Sequence, residues 1–200
     1  MSTSSLRIER IAPAALPDLL RTITDIRMQV FSAWPYLYDG NLDDEDEYLR
    51  HFQRDPKTVV IGAWDGMDLV GVSTASRWET HPENLLSSLP GDWSEVPVTE
   101  VLYLAESVLY ASHRGRGAGK AFFDAREAFA QEIGRRYVAF AAVVRAHDDP
   151  QKPADYRDLA PWWRRLGYRP VPGALCSMMW KDHGREQAEL HHLQVWIKKL

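Results

Sequence analysis

An apolar run, Val101 to Leu109, empties into Tyr110-Ala111-Ser112-His113-Arg114-Gly115-Arg116-Gly117-Ala118-Gly119-Lys120. No other stretch restricts the fold as much. The run reads as a buried strand. Beyond Lys120, the residues Phe122, Ala125, Phe129 and Ile133 recur at helical spacing. A strand therefore feeds a glycine- and arginine-rich turn, and the turn opens a helix. Glycine lets the backbone bend sharply and approach a ligand closely. The first N–H groups of a helix have no partner within it and carry partial positive charge. Arg114, Arg116 and Lys120 add full charges. Strand, turn and helix together make a cradle for a pyrophosphate. The plainer reading of the same residues is a glycine-rich turn with solvated arginines.

Two common phosphate patterns fail here. The phosphate loop of nucleotide hydrolases requires Gly where Arg114 stands and Ser or Thr where Ala121 stands. The dinucleotide fingerprint requires Gly three residues after Gly117 or Gly119, where Lys120 and Phe122 stand. The pattern that fits is Arg-x-x-Gly-x-Gly, as Arg114, Gly117 and Gly119. It resembles the acetyl-coenzyme A loop of the GNAT superfamily of N-acetyltransferases. A second segment, Trp162-Trp163-Arg164-Arg165-Leu166-Gly167-Tyr168, resembles that superfamily's aromatic-Tyr-x-x-Leu-Gly-Phe motif.

Two hundred residues suit one domain over 1–200 with a sizeable core. The net charge of −4 gives no electrostatic footprint for nucleic acid. A local basic cluster in an acidic chain suits a small anionic ligand. The single Cys176 excludes an internal disulfide and argues against a cysteine-built metal site. Met1 to Arg10 lacks a signal-peptide core, and no apolar run is long enough to span a membrane. A cytoplasmic protein is expected, with no metal, nucleic-acid or membrane partner. A homodimer is left open.

In chain order, Leu6 to Ile11 alternates as a strand. A helix is expected from Pro17 to about Ser32, with Leu19, Leu20, Ile23, Ile26, Val30 and Phe31 as its stripe. The aromatic loop Ala33 to Gly40 follows. The acids Asp43 to Glu47 read either as a lure for a cationic amine or as the first turn of a second helix, where acids are favourable. Val59 to Trp64 and Leu69 to Ala75 are strands joined by Asp65-Gly66, a hairpin signal. Glu79 to Val98 is an excursion with at most a short helix near Glu83 to Leu89. Tyr137 to Val144 is apolar throughout, as a strand covered on both faces is. His147-Asp148-Asp149 reads as a solvated turn or an active-site group. A helix from Tyr156 to Leu166, with a restart at Pro161 left open, is capped by Gly167. Leu175 to Trp180 and Leu193 to Ile197 close the fold. On a strand, His191 and His192 face opposite sides and do not pair on a metal.

That order, β-α-α-β-β-β-α-β-α-β-β, is similar to the GNAT fold from end to end. The implied class is α/β (α+β), with a mixed, mostly antiparallel sheet of about seven strands flanked by helices. The resemblance implies a direct transfer of acetyl from acetyl-coenzyme A to a primary amine of a small molecule, peptide or protein. It implies that backbone groups around Val108 and Leu109 bond the pantetheine arm and the thioester carbonyl. Arg114 and the amides of Gly115, Arg116, Gly117, Ala118, Gly119 and Lys120 then hold the pyrophosphate. The turn carrying Trp34, Tyr36 and Tyr38 lines the acceptor site, or is simply pinned to the core by its rings.

An ammonium must lose a proton before its nitrogen can attack. Glu106, an acid in an apolar strand, is the candidate base, because burying a carboxylate without work or a partner is costly. The alternative is that it pairs with an arginine. Glu79 and Glu100 are weaker candidates. The superfamily's acid tyrosine corresponds to Trp163, whose indole N–H is no proton source near neutral pH. Tyr156, seven residues earlier, is the substitute if the helix runs unbroken. A non-catalytic acyl-coenzyme A sensor is the competing function.

Overall fold

The computed structural model describes residues 5–40, 52, 55–81 and 84–200. Among them are seven strands: β1 (Arg7–Arg10), β2 (Val59–Asp65), β3 (Asp68–Arg77), β4 (Val101–Leu109), β5 (Tyr137–Val143), β6 (Arg169–Trp180) and β7 (Glu189–Lys199). They form one sheet in the order β1-β2-β3-β4-β5-β7-β6. Every neighbouring pair is antiparallel except β4 and β5. The described α-helices are α1 (Leu16–Phe31), α2 (Ala118–Glu132) and α3 (Ala160–Arg165). The expected helix over the acidic run lies outside the described residues apart from Phe52, which is buried.

The central strands read as unbroken apolar runs because helices cover both faces. Val59, Ile61 and Ala63 pack with Phe122, Phe123 and Phe129 of α2. Val60 and Val72 face the other way, onto Ile23 and Ile26 of α1. Each large side chain so buried contributes roughly 1.5–3 kcal/mol. The expected hairpin forms at Asp65-Gly66, where Gly66 takes a φ of +63°.

In the excursion, where at most a short helix is expected, the described residues 84–89 are not helical. Three 3-10 turns punctuate the excursion instead, at Trp78–Thr80, Gly91–Trp93 and Val98–Glu100. The Trp78 indole donates to the Leu86 carbonyl at 2.7 Å, and Leu85 and Leu89 plug the core beside it. One expectation needs correction, the helix expected from Tyr156. It begins only at Ala160, because Pro161 is preorganised for a first turn and the Asp158 carboxylate takes the Ala160 N–H at 2.8 Å. Tyr156 therefore sits in the preceding loop, off that helix.

Two irregularities of β4 set up everything that follows. Opposite β3, Thr74 faces Glu106 while Ser76 faces Tyr103, so β4 advances three residues where β3 advances two. This bulge reverses the alternation of side chains. Leu102 and Leu104, before it, join the α2 side; Val108, after it, packs with the α1 side. On its other edge, β4 pairs with β5 only from Val101–Tyr137 to Tyr103–Ala139. From there β5 follows β7 to Val143 and β4 follows β3 to Leu109. The two strands splay apart and leave a wedge.

Candidate active site

The wedge opens into a cleft of about 960 Å³. Its walls are β4 from Leu104 to Ser107, β5 from Phe140 to Val143, the start of α2, the loop before α3 and the aromatic turn after α1. At its mouth lies the glycine loop. Gly115 and Gly117 hold φ of +79° and +86°, values that only glycine adopts without strain. A Cβ at either would meet nothing within 4 Å, so both backbones face open space. Gly117 is the N-cap of α2, no side chain caps that terminus, and no acid stands in its first turn. The first amides of α2 are therefore left for an external anion. Gly119 is needed for a different reason: a Cβ there would lie 3.2 Å from the Trp162 ring.

The bulge aims Glu106 at α1. Its Oε2 accepts a hydrogen bond from the Arg27 Nη1, and the two side chains are 5% and 9% exposed. Its other oxygen, Oε1, is buried and has no hydrogen-bond partner among the described residues, and Glu106 is one of the residues lining the cleft. Burial disfavours a carboxylate, and the Arg27 guanidinium offsets that cost. The carbonyl of Glu106 is held from the α2 side, where Arg126 Nη1 donates to it at 2.9 Å and to the Thr74 carbonyl at 3.3 Å. Ser73 Oγ also donates to that carbonyl, at 2.8 Å.

No protein-family model matches the chain, and no curated protein matches it in sequence. Solved structures match it over essentially its whole length. A GCN5-related N-acetyltransferase from Kribbella flavida is 19% identical, with a TM-score of 0.60 and full coverage of both chains. The ribosomal-protein-alanine N-acetyltransferase from Brucella melitensis is 17% identical, with a TM-score of 0.58 over 98% of this chain and 100% of its own. The chain has the GNAT fold. A third match, yncA from Salmonella typhimurium, was solved with its cofactor acetyl-CoA; it is 13% identical, with a TM-score of 0.61 over 98% of this chain and 95% of its own.

Within this GNAT fold the expected residues divide. Leu109, Arg114, Gly115, Gly117, Ala118 and Gly119 line the cleft. The Val108 side chain is fully buried against α1, so only its backbone, the part the expectation concerns, is left to meet a ligand. The side chains of Arg116 and Lys120 do not line the cleft. Arg116 forms a two-pronged pair with Asp65 at 2.7 and 3.2 Å, and Lys120 pairs with Asp124 at 2.6 Å. Arg116 in turn holds the Asp65 carboxyl below its ordinary range.

Trp34 and Tyr36 line the cleft, whereas Tyr38 is not among its lining residues and its backbone pairs with that of Asp182 in an isolated β-bridge. Tyr156 reaches the cleft from its loop, its ring 6.1 Å from that of Trp34 and nearly perpendicular. Burial, and then Asp158, push its phenol above the ordinary value, so it stays an O–H donor. Trp163 packs as wall between Phe140 and Trp196, with ring centroids at 4.9 and 5.2 Å.

The weaker base candidates do not line the cleft, and each is in an ion pair. Glu79 pairs with Arg135 at 2.8 Å, and Glu100 pairs with Arg136. Among the described residues no group of His, Cys, Asp and Glu could hold a metal, and no helix is long and apolar enough to cross a membrane. His147, Asp148 and Asp149 form a turn outside the cleft. Four residues escaped sequence reasoning: Arg27, Arg126, Arg145 and Asp182. A polar residue on a helix's apolar stripe was the available signal for Arg27 and Arg126; nothing local marks the other two.

Proposed function

We propose that the protein is an acetyl-coenzyme A-dependent N-acetyltransferase acting on a primary amine. One observation carries the reading: a wedge between β4 and β5 opens at the uncapped, glycine-built N-terminus of α2, and Glu106, with one buried oxygen unpartnered among the described residues, is among the residues that line it. Acetyl-coenzyme A fits that shape. Its pyrophosphate would lie against the amides of residues 115–120 and the Arg114 side chain. Its extended arm would enter the wedge, where the β4 edge from Leu104 to Leu109 lacks a β5 partner for its backbone groups.

The amine then attacks the thioester carbonyl directly. The nitrogen–carbon bond forms and the carbon–sulfur bond breaks; the ammonium gives up one proton before attack and the nitrogen a second as the amide forms, while the departing sulfur takes one up. Glu106 Oε1 is the acceptor, directly or through a water. Tyr156 is the O–H donor to the departing sulfur, in the place the Trp163 indole cannot fill. The acceptor's body would rest against Trp34 and Tyr36, whose faces attract a cation. The structural neighbours with acetyltransferase names support the class of reaction.

A second reading is an acyl-coenzyme A sensor. It is favoured by Trp163, and by the tie between Glu106 and Arg27. A panel of primary amines, peptide N-termini and lysine peptides incubated with acetyl-coenzyme A separates the two. The transferase releases coenzyme A with at least one of them, in step with the acetylated product. Tight cofactor binding with no release for any acceptor supports the sensor.

A further inference from the structure

The aromatic wall of the cleft hangs from a buried ion pair. Arg145 lies just beyond β5 and lines the cleft. Its Nη1 and Nη2 donate to both oxygens of Asp182 at 2.6 and 3.0 Å. The same guanidinium donates from Nε to the Pro35 carbonyl at 2.7 Å and from Nη2 to the Tyr36 carbonyl at 2.6 Å. Its plane lies over the Trp34 ring, 6.0 Å from the centroid. The side chains of Arg145 and Asp182 are 13% and 5% exposed, so this is no loose surface pair.

Asp182 is itself fixed. Trp180 Nε1 donates to it at 2.9 Å and to the Tyr36 carbonyl at 3.0 Å. His191 stacks on Trp180 at 3.7 Å, with its Nε2 3.3 Å from the Asp182 carboxylate. Backbone bonds run alongside, from Asp39 N–H to the Lys181 carbonyl and from His183 N–H to the Leu37 carbonyl, at 2.8 and 2.7 Å. Between these ties Leu37 is held at a φ of +54°. A branched residue takes that conformation at a cost, and keeps it only where its surroundings over-determine it.

We infer that Arg145, oriented by Asp182, is a positioning residue that fixes the 33–38 turn as the acceptor-binding wall, and so sets acceptor affinity without touching the cofactor. The inference rests on the transferase reading for its kinetic consequence, though not for its structural one. The guanidinium fork meets a carboxylate and two carbonyls at once; an ammonium is a point donor and does not reproduce that geometry. Once the fork is gone, the wall loses its ties at the Pro35 and Tyr36 carbonyls from Arg145 and keeps the Trp180 bond to the Tyr36 carbonyl, the ring contacts and the backbone bonds. The glycine loop, at the other end of the cleft, shares none of these partners.

The test is Arg145→Lys, with Asp182→Asn as a second variant, in two measurements on the full chain. The first is amide hydrogen exchange without ligand. The amides of Tyr36, Leu37 and Tyr38, which now donate to Ala33 and Phe31 carbonyls, should exchange at least tenfold faster, while those of α2 keep their rates. The second is steady-state kinetics with benzylamine, an amine with an aromatic body. Its KM should rise tenfold or more in both variants, with the KM for acetyl-coenzyme A within twofold of wild type. Unchanged exchange at 36–38 overturns the anchor whatever the kinetics. So does a benzylamine KM that stays put, or one that rises together with the cofactor KM. Exchange needs no turnover, so a wild type that acetylates no amine contradicts the transferase alone.

Discussion

Glu106 lines the cleft from β4 and Tyr156 from the loop before α3, and as the proposed proton acceptor and donor their protonation should be visible in the rate. Glu106→Gln keeps the shape and still offers Arg27 an oxygen. It removes the charge that would take the ammonium proton. Loss of a general base costs about a hundredfold to ten-thousandfold in turnover, and cofactor affinity should stay within about twofold because no phosphate contact is touched. The acidic limb of the pH profile should vanish in this variant. As the proposed proton donor, Tyr156 should govern the alkaline side. Burial and Asp158 raise its folded value, so the donor form persists at low pH and is lost only as pH climbs past the ordinary tyrosine range of about 10. Tyr156→Phe should lower turnover and remove that late fall. Profiles of turnover against pH for the two variants and the wild type check both assignments. A Glu106→Gln protein with full turnover and an unchanged profile makes the residue structural, in which case its pairing with Arg27 is its whole role.

At the scale of elements, the glycine loop was legible before any coordinates. Its glycines, its place between strand and helix, and the bounds of β4 all follow from local pattern. The charges around it were not legible, because an ion pair depends on what another element brings. Arg116 is tied to Asp65 from the β2–β3 hairpin, while Arg114 lines the cleft in no ion pair with a described residue. Arg114→Ala should therefore weaken acetyl-coenzyme A binding by about tenfold or more, the scale of one charge-assisted hydrogen bond. Arg116→Ala should cost less affinity and act mainly by loosening the loop. Equal losses in calorimetric titrations of the two variants would contradict this division. The β4 bulge was equally invisible. Simple alternation puts Glu106 with Leu102 and Leu104, facing α2; the extra residue turns it to α1 and Arg27. Proline chemistry near Pro161 was legible, and it explains why Tyr156 lies ahead of α3.

At the scale of the whole molecule, the sheet does two jobs. Its first four strands carry the glycine loop and Glu106, and its last three carry the far wall of the wedge and the Asp182 anchor. The order of these elements could be read from the chain, because strand and helix periods are local. The splay between β4 and β5 could not, because nothing in either strand says where a parallel pairing stops. Yet the splay is what makes a groove for an extended ligand. The most direct test of the account is a thermal melt of the protein with acetyl-coenzyme A, set beside one with ATP. Ligand at a hundredfold excess over Kd stabilises by about 2.7 kcal/mol, which for a chain of this size is a rise in Tm of about 5–10 °C. The account predicts that rise with millimolar acetyl-coenzyme A and little with ATP, which offers phosphates and no arm for the wedge. A melt unmoved by acetyl-coenzyme A and raised by ATP would contradict it.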